Sequence, residues 1–183
     1  MSFTLSSKQL KENATTSIVT ALGGDINSFA LPKIDKISIN VGCGKFESKD
    51  KQEIANFVHK ITGQKPKMIK ARMSISNFKL RAGDITGIAV TLRGEKMYDF
   101  LLSLVYISLP RIRDFKGIKK AAMDKNFSGY SLGIENCNIF PQVGFDTNLN
   151  FGMQINVVFK TGTEANQTVL TSLNFPFIKT DSK

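Results

Sequence analysis

The sequence predicts an α+β fold in which helices cover one face of an antiparallel or mixed sheet and leave a basic, polar face open. Strand-like segments alternate apolar and polar residues, as in KISINV at residues 36–41 and MQINVVFK at residues 153–160. Helix-like segments between them carry apolar residues at three- and four-residue spacing. Strands of a parallel sheet covered on both faces would be apolar throughout. The 183 residues are enough for one domain with its own core.

The same periodicities place each element in chain order. The expected elements are a helix at 8–22, a strand at 36–41, a helix at 50–62, strands at 67–71 and 86–93, a helix at 95–109, strands at 137–140 and 153–159, and a helix at 161–173. Two long basic loops separate them, at residues 72–83 and 111–130. We expect the whole chain, residues 1–183, to be a single RNA-binding domain with an N-terminal helical segment in residues 1–24.

Stop and start signals support the helix boundaries. The helix at 8–22 precedes two glycines and the helix at 50–62 precedes Gly63, because glycine adopts a left-handed backbone at little cost. The helix at 95–109 is the most apolar and ends at Pro110. The last helix is expected to begin at a capping box, with Thr161 as the N-cap residue and Glu164 three residues later.

Positive charge is concentrated in the middle of the chain. The net charge is +10, and residues 54–133 hold 15 Lys and Arg against 5 Asp and Glu, whereas the remaining residues hold 10 of each. No carboxylate occurs between Glu53 and Asp84. A surface that only needs solubility mixes both signs, so this stretch favours a polyanionic partner.

Motifs for catalysis, metals or cofactors are weak. The single histidine, His59, is predicted to face solvent, and the two cysteines match no metal-binding spacing. Gly42 and Gly44 have the spacing of a dinucleotide loop, but Glu47 stands where its third glycine would be. We therefore expect neither a metal nor a cofactor.

Membrane and secretion signals are also weak. No apolar run reaches 18 residues, and the amino-terminal residues lack the features of a secretory signal. We expect a cytoplasmic protein without a membrane partner.

An open polar sheet face and basic loops favour RNA as the polyanion. RNA offers phosphates, 2′-hydroxyls and unstacked bases to a protein surface. Lysine and arginine attract the phosphates, and Asn40, Gln64 and Thr91 could hydrogen-bond to ribose. The residue pattern alone is also compatible with an alternative, in which this sheet face contacts only solvent.

Several segments, in this order, resemble the large-subunit ribosomal protein five family, which binds 5S ribosomal RNA. They are KIDKISINVGCG from residue 33, ITGQKP from 61, ARMSISNFKLRAGDITGIAVTLRGEKMYDFL from 71, LPRIRDF from 109, GYSLGI from 129, IFP from 139 and FPF from 175. The resemblance implies a noncatalytic protein that attaches 5S ribosomal RNA to the large-subunit ribosomal RNA in the central protuberance. Two departures lie near the end of the chain: Gln142 replaces an expected acid, and Asn174 replaces a small residue or glycine.

The resemblance also implies three contact sets. The ribosomal RNA contacts would be Lys36, Asn40, Gln64, Lys65, Lys67, Thr91, Arg93, Arg111 and Arg113. The elbow of the P-site transfer RNA would be contacted by Arg72, Met73, Ser74, Asn77, Phe78, Lys79 and Arg81. A small-subunit ribosomal protein would meet an intersubunit bridge surface at Lys116, Lys119, Lys120 and Lys125.

Alternatives apply to some of these residues and to the function. Phe78 is expected to pack at the base of its loop rather than to stack on RNA. Arg111, Arg113 and Lys116 could instead pair with the carboxyl end of the preceding helix and with Asp114. An RNA-modifying or RNA-processing enzyme would use the basic surface as a substrate track, and a general binder of DNA or anionic membranes is a third hypothesis.

Overall fold

A computed structural model of the protein describes residues 31–78, 80–113, 115, 117–118, 122–143 and 149–178. The predicted helix at 8–22 lies outside these residues. The described strands are β1 (Ile34–Gly42), β2 (Lys67–Lys70), β3 (Ile85–Leu92), β4 (Gly129–Ile134) and β5 (Met153–Phe159). The described α-helices are α1 (Ser48–Thr62), α2 (Glu95–Leu102) and α3 (Ala165–Ser172).

The five strands form one antiparallel sheet in the order β2-β3-β1-β5-β4. β2 pairs with β3 in a register that places Lys67 opposite Ala89 and Ile69 opposite Gly87. The predicted α+β fold is therefore confirmed.

Two compact units can be distinguished in the described chain. The first comprises residues 38–92 and 132–155, and the second comprises the remaining described residues. In the first unit, the alternating apolar residues of β1 and β3 are buried together with the apolar stripe of α1. These side chains are Ile39, Val41, Ile54, Phe57, Val58, Ile61, Ile88, Val90 and Leu92. Gly63 ends α1 with a φ of 65° and donates its amide to the carbonyl of His59, as predicted for a glycine cap.

The predicted helix at 95–109 changes its winding along its length. After α2 the chain forms a π-helix, Ser103–Ser108, and then a single 3₁₀ turn, Leu109–Arg111. The amide of Leu109 donates to the carbonyl of Leu104, five residues back. Pro110 lacks an amide hydrogen and its ring excludes the carbonyl four residues earlier, which accounts for the lost α-helical pattern.

The predicted strand at 137–140 is wrong. Cys137–Ile139 forms one 3₁₀ turn, and the strand of this region is β4, in which Tyr130 and Ile134 are buried. The amide of Cys137 donates to the carbonyl of Phe151, and the amide of Phe140 donates back to Cys137. These bonds turn the chain, so the short apolar run cannot continue as a strand.

The predicted capping box before α3 is also wrong. The N-cap residue of α3 is Glu164, which makes no side-chain cap bond, and the buried hydroxyl of Thr161 has no hydrogen-bond partner. Gly162 and Thr163 intervene before the helix begins, so the first turn cannot reach Thr161 with its amides.

Asn166, on the buried face of α3, ties the helix to the turn before β4. Its side chain is fully buried, and Nδ2 donates to the carbonyl of Phe127 at 2.6 Å and to the carbonyl of Thr161. Phe127 has a φ of 52°, a left-handed conformation that costs a bulky residue about 1–2 kcal/mol. The same turn lies so close to Gly162 that an added Cβ would be 2.6 Å from the carbonyl oxygen of Asn126. Asn166 therefore links the turn at Phe127, whose backbone is left-handed, to the segment at Thr161 and Gly162, which lies very close to that turn.

Asn174 occupies the position where the resemblance implies a small residue or glycine. Its φ is 56°, and its Nδ2 donates to the hydroxyl oxygen of Tyr106 at 2.8 Å. Asparagine tolerates the left-handed region better than other residues with a Cβ atom. This position therefore requires a residue that tolerates a positive φ, and asparagine meets the requirement.

Two substitutions separate the roles of backbone and side chain at this position. We expect Asn174→Ala to lower the free energy of unfolding by about 1 kcal/mol, because alanine is disfavoured at this φ. Asn174→Gly should change it by less than about 0.5 kcal/mol, since the bond to Tyr106 is exposed. Thermal or urea unfolding measures both values. Equal losses in the two variants would show that the Tyr106 bond, rather than the backbone, decides the stability.

Candidate nucleic-acid interface

In the first unit, the face of β1 and β3 opposite the core is polar. Asn40 on β1 and Thr91 on β3 are exposed, while the residues on either side of them are buried against α1. Lys67 on β2 is exposed and lies opposite Ala89, whose small side chain belongs to the same face. This face, which we call the open face, therefore presents a cation, an amide and a hydroxyl on three neighbouring strands.

Gln64 and Lys65 form the turn that leads from α1 to β2. Gln64 Nε2 donates to the carbonyl oxygen of Thr91 at 3.2 Å. Thr62 Oγ1 donates to the carbonyl of Val58 at 2.7 Å and contacts the carbonyl of Gln64 at 3.1 Å. The turn is thereby fixed to the end of β3, and the exposed Lys65 projects from it. Gln64 has a structural role that the sequence did not indicate, because its partner is 27 residues away.

Carboxylates are absent from the open face among the described strand residues of this unit. The outward positions of its strands carry polar, small, apolar or basic side chains. Glu47 and Asp84 line a depression together with Lys49 and Lys51. Mixed signs there disfavour an anion, whereas the open face can approach phosphates without repulsion.

The other predicted ribosomal RNA contacts belong to the second unit. Lys36 is half-buried on β1, and Arg93 is exposed between β3 and α2. Arg111 and Arg113 are exposed at and after the 3₁₀ turn that follows the π-helix. Asp114 lies outside the described residues, so its pairing with Arg113 stays a prediction.

The 72–83 loop has a defined backbone in its described part, which excludes Lys79. Ala71 and Asp84 close its base, with the Ala71 amide donating to the Asp84 carbonyl at 2.8 Å. Ile75 and Leu80 pair as an isolated bridge with amide-to-carbonyl distances of 3.0 and 3.2 Å. A 3₁₀ turn, Ser76–Phe78, connects them. The loop is therefore a small hairpin.

Side chains reinforce this hairpin below its tip. The hydroxyl oxygen of Ser74 accepts from the amide of Ala82 at 2.9 Å, and Asp84 Oδ2 accepts from the backbone amide of Arg81 at 2.9 Å. The remaining described members of the predicted contact set, Arg72, Met73, Asn77, Phe78 and Arg81, all have exposed side chains.

The expectation that Phe78 packs at the base of the loop is wrong. Its side chain is 72% exposed, and those of Met73 and Ile75 are 71% and 43% exposed. The 3₁₀ turn places Phe78 at the far end of the hairpin from the residues that close its base. The tip is consequently apolar and flanked by arginines.

Of the predicted bridge residues, the structure describes Lys125. It is exposed in a turn where Asp124 Oδ1 accepts from the Lys125 amide at 2.8 Å and Asp124 Oδ2 accepts from the Ser128 hydroxyl at 3.0 Å. The amide of Asp124 donates to the carbonyl of Gly129, which joins the turn to β4. Lys116, Lys119 and Lys120 lie outside the described residues.

The described part of the chain offers little support for a metal site or a catalytic nucleophile. Those residues contain no group of three His, Cys, Asp or Glu side chains that could hold a metal ion. Cys43 and Cys137 are free and buried; burial raises the pKa of Cys43, and raises the pKa of Cys137 to about 12. Thiols with raised pKa values are poor nucleophiles. His59 is exposed on α1, as predicted.

Among the helices of the described residues, none has both the length and the apolar character needed to cross a membrane.

Sequence reasoning missed the buried Asn166 and the exposed apolar loop tip. Asn166 shares a buried helix face with Val169 and Leu170, so its three- and four-residue spacing could have identified it. The exposure of Met73 and Phe78 could not be predicted from the sequence, since an apolar residue in a loop can equally well pack against the body of the protein.

Two family models match the chain in consecutive stretches. "Ribosomal protein L5" matches residues 27–81, and "ribosomal L5P family C-terminus" matches residues 85–177. Three bacterial relatives, each called "Large ribosomal subunit protein uL5", are similar over almost their whole length. The Streptococcus suis protein is 42% identical over 93% of this chain and 98% of its own, that of Acholeplasma laidlawii is 42% identical over 94% and 99%, and that of Ligilactobacillus salivarius is 43% identical over 93% and 98%. With matches of this extent, the chain belongs to the ribosomal protein L5 family.

Proposed function

We propose that the protein binds 5S ribosomal RNA and attaches it to large-subunit ribosomal RNA in the central protuberance. We further propose that the 72–83 loop contacts P-site transfer RNA, and that the region of Lys125 meets a small-subunit ribosomal protein in an intersubunit bridge. In this proposal the whole chain acts as a single RNA-binding domain.

Family membership gives the wider setting of this proposal. The protein is a structural, non-enzymatic, RNA-binding component of the large subunit of the cytoplasmic ribosome, and its role is in translation. The alternative of an RNA-processing enzyme is therefore excluded.

The open face of the first unit, whose described strand residues place no carboxylate at an outward position, is the observation that supports the 5S ribosomal RNA proposal. Asn40 and Thr91 stand on adjacent strands whose opposite faces are buried, so their side chains have fixed directions. Lys65 follows Gln64, which bonds to the carbonyl of Thr91, and Lys67 pairs with Ala89 on β3. Fixed hydrogen-bonding groups beside cations suit a folded RNA, because phosphate contacts supply affinity and the fixed groups supply selectivity.

Binding of 5S ribosomal RNA at several salt concentrations tests this interface. We expect Asn40→Ala and Thr91→Ala each to lower the affinity about fivefold to tenfold, which corresponds to one lost hydrogen bond. Neither should change the slope of log affinity against log salt, because neither side chain neutralises a phosphate. Asn56→Ala, which removes the same kind of amide from an exposed position on α1, is the matched control and should bind like the wild type.

A different pattern would contradict the proposal. If Asn40→Ala and Thr91→Ala bound 5S ribosomal RNA as tightly as the wild type, the open face could not be the specific contact. If the wild type showed the same affinity for 5S ribosomal RNA and for an unrelated duplex, the surface would be a general polyanion binder.

A further inference from the structure

We infer that residues 175–178, which follow α3, act as a clasp that holds the 111–130 loop at two points, Ile118 and Tyr130, and thereby positions the proposed bridge surface at Lys125. The clasp can open locally, without unfolding of the second unit. Because Lys125 belongs to the proposed intersubunit bridge, this inference rests on the proposed function and adds the residues that set the position of that surface.

The first observation is a backbone pairing between Ile118 and the clasp. The amide of Ile118 donates to the carbonyl of Pro176 at 2.8 Å, and the amide of Ile178 donates to the carbonyl of Ile118 at 3.1 Å. Ile118 and Phe177 thus form an isolated parallel bridge. The side chain of Ile118 is 4% exposed, and a buried backbone needs partners for its polar groups. The clasp supplies partners for both backbone groups of Ile118.

The second observation is the close approach of Gly117 to the clasp. A Cβ atom added at Gly117 would lie 3.0 Å from the amide nitrogen of Ile178 and 3.1 Å from its Cγ1. The φ of Gly117 is 96°, a conformation that residues with a Cβ atom rarely adopt. The loop therefore passes the clasp at a point where glycine meets both the steric and the backbone requirement.

The third observation is that aromatic side chains of the clasp hold the other end of the loop, at the start of β4. The ring of Tyr130 meets those of Phe175 and Phe177 edge to face, with centroids 6.1 Å apart in both pairs. This geometry is favourable for aromatic pairs. Tyr130 is 1% exposed and pairs with Met123 in an isolated antiparallel bridge. Because Met123 is two residues from Lys125, the clasp is connected to the turn on which Lys125 is exposed.

The burial of the clasp decreases along its length. Phe175 is buried, Phe177 is half-buried and Ile178 is 36% exposed. Segments with few buried apolar contacts and exposed backbone bonds open locally at a lower free energy than global unfolding requires. We therefore expect the pairing at Ile118 to open while the rest of the second unit stays folded.

Trypsin cleavage of the full-length protein under native conditions tests this local opening, because the sequence from Arg113 to Lys125 contains five cleavage sites. Ile178→Pro removes the amide that donates to Ile118, and Ile178→Ala, which keeps the amide, is the matched control. Ile178→Pro should raise the cleavage rate in this stretch about threefold to tenfold, the effect of one lost hydrogen bond, and Ile178→Ala should stay within about twofold of the wild type. Mass spectrometry locates the cuts. The rate should hardly depend on urea up to about 1 M, since local opening exposes little surface.

Gly117→Ala tests the same contact from the side of the loop. Its matched control is Gly83→Ala, because Gly83 has a φ of 95° and a Cβ atom added there would meet no atom within 4 Å. Both variants carry the same backbone penalty, but Gly117→Ala alone disturbs the clasp. We expect Gly117→Ala to raise cleavage between Arg113 and Lys125 about fivefold to thirtyfold, from the backbone penalty alone. Gly83→Ala should leave cleavage in that stretch within about twofold of the wild type.

Subunit association connects the clasp to the proposed bridge. The double variant Gly117→Ala/Ile178→Pro combines both changes, so the open clasp should predominate. Large subunits that carry it should bind small subunits at least about twofold more weakly than those that carry Ile178→Ala, because affinity falls with the fraction of molecules in the competent state. Lys125→Ala reports independently on the bridge contact itself.

The outcomes separate the inference from the proposed function. If Ile178→Pro is cleaved between Arg113 and Lys125 no faster than Ile178→Ala, or only at urea concentrations that unfold the whole protein, residues 175–178 do not open locally and the inference is wrong. If Lys125→Ala weakens subunit association but the double variant does not, the clasp does not position the bridge surface, which also overturns the inference. If cleavage rises as expected while neither Lys125→Ala nor the double variant weakens association, the clasp holds the loop and the bridge proposal fails.

Discussion

Replacing Asn166 with leucine should lower the free energy of unfolding by about 3 kcal/mol. The side chain is fully buried, and its Nδ2 serves the carbonyls of Phe127 and Thr161. Leucine is of similar size, so the substitution removes the donors without leaving a large cavity. Each of these partly buried carbonyls, left without a donor, should cost about 1–2 kcal/mol. For a chain of this length the midpoint of thermal unfolding should fall by about 6–12 °C.

A matched control is available one residue along the same helix. Gln167 is half-buried on α3, and Gln167→Leu should change stability by less than about 0.5 kcal/mol. Hydrogen exchange should localise the effect of Asn166→Leu to the turn before β4, where the Phe127 amide donates to Asp124 and the Asp124 amide donates to Gly129. If Asn166→Leu unfolded at the wild-type midpoint, the gain from the two bonds would merely equal the cost of burying the amide.

The effect of Asn166 should extend to function, because the turn that it holds carries Lys125. Phe127 keeps its left-handed backbone while its carbonyl is bonded to Asn166. Without that bond the turn can relax toward more favourable dihedral angles, which moves Lys125 away from its present position. If ribosomal subunits carrying Asn166→Leu associate less well under conditions in which the variant is still folded, the result would support the bridge proposal.

Local patterns in the sequence predicted the strands and the faces of their residues correctly where alternation was clear. In β1, β3 and β5 the side-chain direction follows from the two-residue repeat of the backbone, so no distant information is needed. Asn40 and Thr91 are exposed as expected for this reason. The same reasoning failed for β4, where two glycines weaken the alternation, and for Cys137, whose amide bonds to Phe151.

Long-range contacts decide the features that the sequence left undetermined. Gln64 bonds to the carbonyl of Thr91, and Asn166 bonds to the carbonyl of Phe127, which is 39 residues away. Neither partner is a side chain, so residue types alone gave no indication of either pair. Phe78 illustrates the same limit, because burial of a loop aromatic depends on how the loop projects from the fold.

Replacing both Lys65 and Lys67 with alanine should reduce affinity for 5S ribosomal RNA. The loss should be about 25- to 60-fold greater at 0.1 M salt than at 1 M, because each phosphate contact contributes about 0.7–0.9 to the slope of log affinity against log salt. Both lysines are exposed, and Lys67 shares the open face with Ala89. Neutralising two phosphates should account for about 1.4–1.8 units of the salt slope. The loss of affinity should therefore shrink as salt rises and nearly vanish at 1 M.

Lys60→Ala distinguishes a directed surface from general attraction. Lys60 is exposed on α1, the helix that packs against the core side of β3, so it points away from the open face. A protein that binds RNA through its net charge alone would lose about the same slope from any lysine. If the open face is the contact, Lys60→Ala should leave the slope within about 0.2 of the wild type, because its phosphate count is unchanged. If Lys60→Ala reduced the salt slope as much as Lys65→Ala or Lys67→Ala does, the assignment would be contradicted. If the double variant at Lys65 and Lys67 kept the full slope, the RNA would bind elsewhere on the protein.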